Sequence, residues 1–259
     1  MPAPKLAAQL YTVRQFTQTA SGFADTLHKI RQIGYTAVQV SGIGQIPDKE
    51  VKRIADDNGL AICITHTSYD LLRSHLGEVI DQHHLWSCKN VAVGSMPGEY
   101  RTGEEGYRRF AADATAIGKA LAQADLTFSY HNHSFEFTRF GKRNGLEILF
   151  AESDPRYLQA ELDTYWIQHG GGDPVAWIRK MKDRMPVVHF KDMTVVSEGW
   201  NVQQLMAEIG EGNLNWPEIL SACQEAGVEW AAVEQDECQG DPFDSLRISF
   251  QNLKGMGLS

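Results

Sequence analysis

Short apolar runs rich in β-formers alternate along this chain with longer stretches whose apolar residues recur at helical spacing, and the alternation is kept up from one end to the other. The runs are LAAQLY (Leu6 to Tyr11), YTAVQV (Tyr35 to Val40), LAICIT (Leu60 to Thr65), NVAVGSMP (Asn90 to Pro97), LTFSYH (Leu126 to His131), YLQAELD (Tyr157 to Asp163), PVVHFKD (Pro186 to Asp192) and WAAVEQD (Trp230 to Asp236). Between them, Phe23, Leu27, Ile30 and Ile33 mark a helix from about Gly22 that Gly34 ends. Pro47 opens a second, closed by Gly59, and others are expected over Tyr69 to Trp86, Thr102 to Ala124, from near Asn144, after an Asp173 cap, over Trp216 to Ala226, and from near Asp241. Strand and helix repeated eight times in 259 residues predicts an α/β fold, a single (β/α)8 TIM barrel forming one domain over 1–259. A doubly wound sheet would normally need fewer strands, and no GxGxxG follows the first one.

Composition narrows the partners. The net charge of -9, with no cluster of Lys and Arg, disfavours nucleic acid and anionic membranes and leaves small molecules. The opening MPAPKLAAQL lacks the apolar core of a signal peptide, and no run approaches a membrane span, so a cytoplasmic protein is expected. Cys63, Cys88, Cys223 and Cys238 are widely spaced without a CxxC pair, which reads as reduced, mostly buried thiols.

Barrel enzymes carry their chemistry where strands stop. Here the third strand stops at His66, the fifth at His131 and His133, the sixth at Asp163, the seventh at His189 and the eighth at Glu234. Taken alone, a strand-end histidine is more often a hydrogen-bonded barrel residue than a ligand, and an aspartate there is commonly a helix cap. Four such groups on consecutive strands, His131, Asp163, His189 and Glu234, form a set suited to one divalent metal ion, Mn²⁺, Co²⁺, Fe²⁺ or Zn²⁺. Strand alternation aims Lys191 to the same side as His189, where its cation can steady an enolate or sit solvated at the barrel mouth. His169 and the adjoining GGGD suit a turn better than a phosphate nest, and His28, His75, His83 and His84 are read as surface residues.

QLYTVR, IGYTAVQVSG, YHNHSFEF, ELDTYW, VVHFKDM, IGEGNLNWPEIL and AVEQD together resemble the sugar phosphate isomerase/epimerase superfamily of xylose isomerase-like TIM barrels over nearly the whole chain. That resemblance implies one divalent metal held by Glu, Asp, His and Glu at the ends of strands five to eight. Asp163, His189 and Glu234 fall on the last three positions, whereas strand five presents His131. Either His131 is the fourth ligand, or Glu136 reaches back from the loop, or His131, His133 and Glu136 divide ligand and acid/base duties. The family's isomerases and epimerases move a proton through an enediolate between two carboxylates, so the expected activity is a metal-dependent isomerase or epimerase on a carbohydrate, with Glu136, Glu234, Lys191 and His133 as catalytic candidates. With only one base, elimination by a lyase, dehydratase or hydratase acting on a 3-keto-sugar or inosose is the alternative. An accessory barrel without turnover is a third, opposed by the cost of keeping buried charges in an abandoned site. The resemblance further implies a substrate contact from His66 and leaves a homo-oligomer open, while Trp166 and Tyr11 are expected either to pack on the C–H face of a sugar or to play an ordinary packing role. Endonuclease IV shares the broader superfamily, but the acidic charge disfavours a DNA face.

Overall fold

The architecture follows from which face of each strand is apolar. In the computed structural model, which describes residues 2–258, eight parallel strands close into a barrel. They are β1 (Lys5–Gln9), β2 (Ala37–Val40), β3 (Ala61–His66), β4 (Asn90–Val93), β5 (Thr127–His131), β6 (Gln159–Asp163), β7 (Val187–Phe190) and β8 (Trp230–Val233), each paired with its neighbour in sequence, and β8 pairs with β1. Outward-facing Leu6, Val38, Ile62, Val91, Phe128, Leu162 and Val188 belong to the large core shared with the helices. The helices are α1 (Ala20–Ile33), α2 (Asp48–Asp57), α3 (Tyr69–Ser74), α4 (Leu76–Trp86), α5 (Glu104–Ala122), α6 (Gly145–Glu152), α7 (Thr164–His169), α8 (Pro174–Lys180), α9 (Trp216–Ala226) and α10 (Pro242–Gly255). None of the described helices is long and apolar enough to cross a membrane. All four cysteines are free, and Cys63, Cys88 and Cys223 are buried as expected.

Inside the barrel a second cluster is built from small residues, Ala7, Ala37, Cys63, Ile64, Ala92, Val187 and Ala232. Barrel interiors more often carry bulky aliphatics. One step toward the strand ends along the same inward faces stand Gln9, Gln39, His131, Glu161, His189 and Glu234, all buried.

The structure departs from the sequence expectation in three places. β1 stops at Gln9 because the Gln9 side chain turns to accept the Tyr11 N–H, and Leu10–Phe16 continues as a 3₁₀ helix. The helix expected from Tyr69 to Trp86 is two, broken at His75 (φ −136°), where Ser74 and Gly77 supply weak helical propensity. After β7, an antiparallel hairpin pairs Asp192–Glu198 with Asn201–Ala207. Gly199 (φ +60°) takes the first position of its two-residue turn, a conformation glycine adopts without strain. Val195, Val196, Trp200 and Val202 are exposed on this hairpin.

Asp192 roots the hairpin. Its buried carboxylate accepts from the N–H groups of Met193 (2.8 Å), Gly210 (2.9 Å), Gly212 (3.2 Å) and Leu214 (3.2 Å), and from the Trp216 indole. A Cβ at Gly212 would collide with that carboxylate. Asp192→Ala leaves these donors buried without an acceptor, and is expected to cost about 3 kcal/mol in urea unfolding. A loss below about 1 kcal/mol would show that the segment is held by other contacts.

Candidate functional site

The carboxyl ends of β5 to β8 bring the expected cluster together. Facing oxygens and nitrogens of His131, Asp163, His189 and Glu234 all lie within 4.8 Å of one another, and all four side chains are buried. Asp163 divides its carboxylate between two duties: Oδ1 caps α7 through the Trp166 N–H at 2.9 Å, while Oδ2 stands 3.2 Å from His131 Nε2 and 3.8 Å from His189 Nδ1. Glu234 does likewise. Its Oε1 accepts from Gln9 Nε2 at 2.9 Å, and its Oε2 lies 2.7 Å from His189 Nδ1.

A carboxylate absent from the expectation, Glu161, sits on β6 two residues before Asp163 and is fully buried. Its Oε1 is 3.0 Å from His189 Nε2 and its Oε2 is 2.8 Å from His66 Nε2. Alternation alone could have found it, since a glutamate between Ala160 and Leu162 must face inward with Asp163. Gln39, whose Oε1 is 2.7 Å from His189 Nε2, follows from the same rule on β2.

Charge governs this arrangement. Burial pushes the carboxyls of Glu161, Asp163 and Glu234 upward, and their neighbours more than reverse it: the His189 charge and hydrogen bonds from His189 and His66 for Glu161, the Lys191 charge and a hydrogen bond with His131 for Asp163, and the Lys191 and His189 charges for Glu234. All three are therefore ionised. Burial disfavours charge on His189, yet Glu161 and Glu234 raise its pKa to about 10, and both of its nitrogens face oxygens. Lys191, buried to 1% exposure, is likewise opposed by burial and held charged by Asp163 (3.0 Å), Glu234 (2.9 Å) and Asp236 (3.0 Å). Burial raises Asp236 to about 6, against the pull of Lys191. Four carboxylates against one ammonium and one imidazolium leave the pocket negative.

His131 shows what that charge calls for. Its Nδ1 lies 3.0 Å from the Gly94 carbonyl and so carries the proton there, which turns the Nε2 lone pair toward Asp163 Oδ2. Burial and the neighbouring His189 push the His131 pKa down, so a second proton is disfavoured. The His131 Nε2 lone pair converging with ionised carboxylates fits a divalent cation, which would take the place of the proton on His189 Nδ1, with His131 Nε2, Asp163, His189 Nδ1 and Glu234 as ligands. Glu161 behind His189 is then the outer carboxylate that fixes the ligand's tautomer.

The remaining candidates separate. Gln9, Tyr11, Arg14, His66, His131, His133, Lys191, Glu234 and Asp236 line a cavity of about 340 Å³. A larger depression of about 490 Å³ opens at the opposite end of the barrel, beside Thr127 and Gln159, and none of the cluster residues reaches it. His133 packs against Phe135 and Trp166, and burial holds its pKa near 3, so it is neutral. Trp166 also stands over Lys191, 5.8 Å from its Nζ. Glu136 does not join the cluster: Tyr130 points outward from β5 and donates to its Oε1, and the His133 N–H donates to its Oε2. Of the supposed surface histidines, His83 is instead buried, bonded between Thr65 Oγ1 and the Val79 carbonyl, while His28, His75 and His84 are exposed. Gly94 must lack a side chain, because a Cβ there would lie 2.9 Å from the His66 ring.

Asp163→Ala and His189→Ala are expected to abolish tight Mn²⁺ or Zn²⁺ binding in calorimetry while far-ultraviolet circular dichroism stays that of a barrel. Glu161→Gln should weaken binding by about tenfold or more, and Glu136→Gln should leave it unchanged. Metal loss in Glu136→Gln would place that carboxylate among the ligands after all.

Comparison with known proteins gives the fold its relatives. Residues 27–254 match the family described as the xylose isomerase-like TIM barrel. An inosose dehydratase of Lacticaseibacillus casei is 25% identical over 157 residues, covering 54% of this chain and 51% of that protein, so the chain spans about half the length of the curated relatives it matches. Among solved structures, a sugar phosphate isomerase/epimerase from Parabacteroides distasonis superposes with a TM-score of 0.79 at 22% identity, over 99% of this chain and 96% of that one. The probable 3-DHS dehydratase of Bacillus anthracis superposes with a TM-score of 0.74 at 15% identity, over 96% and 98%. At those identities the structural likeness speaks for the barrel, and the family match over most of the chain speaks for descent. The chain belongs to the xylose isomerase-like TIM barrel family.

Proposed function

We propose that this protein is a metal-dependent dehydratase acting on a polyhydroxy ketone, a keto-sugar or an inosose. The observation that carries this reading is the asymmetry of the cavity. On the β7–β8 side stand the carboxylates of Glu234 and Asp236 with the Lys191 ammonium. On the β5 side stand His131 and His133, both pushed toward the neutral imidazole, while Glu136, the carboxylate of the loop that follows β5, is turned away to Tyr130. Epimerisation and isomerisation through an enediolate call for proton exchange from two sides or between two carbons. One acid/base face suits elimination.

A divalent cation held by His131, Asp163, His189 and Glu234 would polarise the ketone and an adjacent hydroxyl and carry charge that develops on oxygen. The chain supplies the proton traffic. Asp236, which lines the cavity and stands outside the ligand cluster, is the acceptor on the acidic face, with Glu234 beside it. The carbon–hydrogen bond next to the ketone breaks, the proton goes to the carboxylate, and the electron pair moves onto the ketone oxygen. As that pair returns, the neighbouring carbon–oxygen bond breaks, and the carboxylic acid returns its proton to the departing hydroxide as water. Lys191 offsets the negative charge on this face, and His133 and His66 offer hydrogen bonds to substrate hydroxyls from the other. The curated relatives named inosose dehydratases point the same way.

Incubation with Mn²⁺ and an inosose is expected to give a product lighter by one water with the ultraviolet absorption of a conjugated ketone. A product of unchanged mass, epimerised or shifted between aldose and ketose, would replace dehydration with the isomerase reading.

A further inference from the structure

Lys191 occupies the same carboxylate oxygens that a metal would use. Its Nζ lies 3.0 Å from Asp163 Oδ2 and 2.9 Å from Glu234 Oε2, and these two oxygens are the ones that face the His131 and His189 nitrogens. A metal ligated by both oxygens would bring a second cation within a few ångströms of the ammonium, in a pocket where screening by water is weak. The third partner differs. Asp236 stands outside the ligand cluster, both of its oxygens lie within reach of Nζ at 3.1 and 3.0 Å, and its side chain is 25% exposed. The Lys191 backbone is fixed, since its N–H donates to Thr164 Oγ1 at 3.0 Å and its carbonyl accepts from the same hydroxyl at 2.7 Å. Only the side chain is left to move, and the Trp166 ring beside Nζ offers it a π face.

We infer that Lys191 is the resident counter-cation of the metal-free site, and that a divalent ion enters by displacing its ammonium from Asp163 and Glu234 onto Asp236. The inference rests on the metal-site reading above and adds a competitor within the chain. Metal affinity is then set by two residues that are not ligands: Lys191, which must be displaced, and Asp236, which receives it. The site exchanges one cation for another, so its carboxylates are never left facing one another without a counter-charge.

A double-mutant cycle read by Mn²⁺ calorimetry tests this. Lys191→Met is expected to bind at least about tenfold more tightly than wild type, and Asp236→Asn about tenfold more weakly. In the Lys191→Met background, where no ammonium needs a place to go, Asp236→Asn should cost less than about threefold. An Asp236→Asn penalty of equal size in both backgrounds would mean simple addition of distant charges, and would overturn the displacement. Should Lys191→Met fail to fold without metal, the wild-type protein gives an independent reading through nitrogen NMR of its lysine ammonium groups. The buried Lys191 resonance must shift when Zn²⁺ is added, and an unmoved resonance rejects the inference. Absence of metal binding in every form would remove the metal site itself, whereas equal binding in all four forms would leave that site standing and remove only the role of Lys191.

Discussion

Ionised carboxylates packed into the carboxyl end of a protein barrel must be matched by positive charge, and that requirement organises the carboxyl-terminal half of this molecule. Glu161, Asp163 and Glu234 are buried at the strand ends with Asp236 beside them, and His189 and Lys191 are the cations wedged among them. Neighbouring features serve the same balance. Gln9 gives up the last position of its strand to steady Glu234, Asn132 accepts the Asp163 N–H, and Thr164 pins Lys191 from both sides. The alanine-rich layer below has a corresponding use: small side chains on β1, β2, β4 and β8 leave room above for four imidazoles, whose ring centres lie 4.4 to 5.3 Å apart.

Much of this was legible in the sequence because most strands keep a period of two and the helices a period near four, with one irregularity between β2 and β3. The eight strands and the convergence of His131, Asp163, His189 and Glu234 followed from where apolar runs stop. What escaped notice lay one layer deeper. Glu161 and Gln39 sit inside the runs, and a reading that asks only what each strand carries at its end passes over them. Glu136 was misleading for a different reason: its closeness in sequence to His131 and His133 does not say which way the loop turns, and an outward tyrosine on the strand captures it. His83 resembled a surface residue because it follows Asp81 and Gln82 on a helix, yet it faces the barrel and closes a chain of hydroxyls from Thr65 and Thr67. The hairpin after β7 carried an alternating pattern around Gly199, but no periodicity tells whether such a segment joins the main sheet or stands apart from it.

The β5 position separates fold from chemistry. Where the resemblance implies a carboxylate, this chain has His131, which fills an inward slot of the barrel and bonds to the Gly94 carbonyl, so the exchange keeps the wall packed and its polar group satisfied. It does change what the wall can give or take, from a group that is charged at neutral pH to one that is not. Relatives sharing this barrel can therefore differ in the bond they break while differing little in shape.

The carboxylate of Asp192 has a consequence for how such a protein changes over time. Both ends of the hairpin close at Asp192 and Ala207, and the return segment is tied to Asp192 through the N–H groups of Gly210, Gly212 and Leu214. Residues 194–205 therefore extend from this root outside the hydrogen-bond register of the barrel, while Met206 Sδ accepts the Asp236 N–H. Insertions, deletions or replacement between 194 and 205 would alter the exposed end of the hairpin without entering the strands that hold the buried charges. A barrel arranged in this way can acquire new partners at its mouth as an exchangeable cassette, while inheriting its reactive centre unaltered.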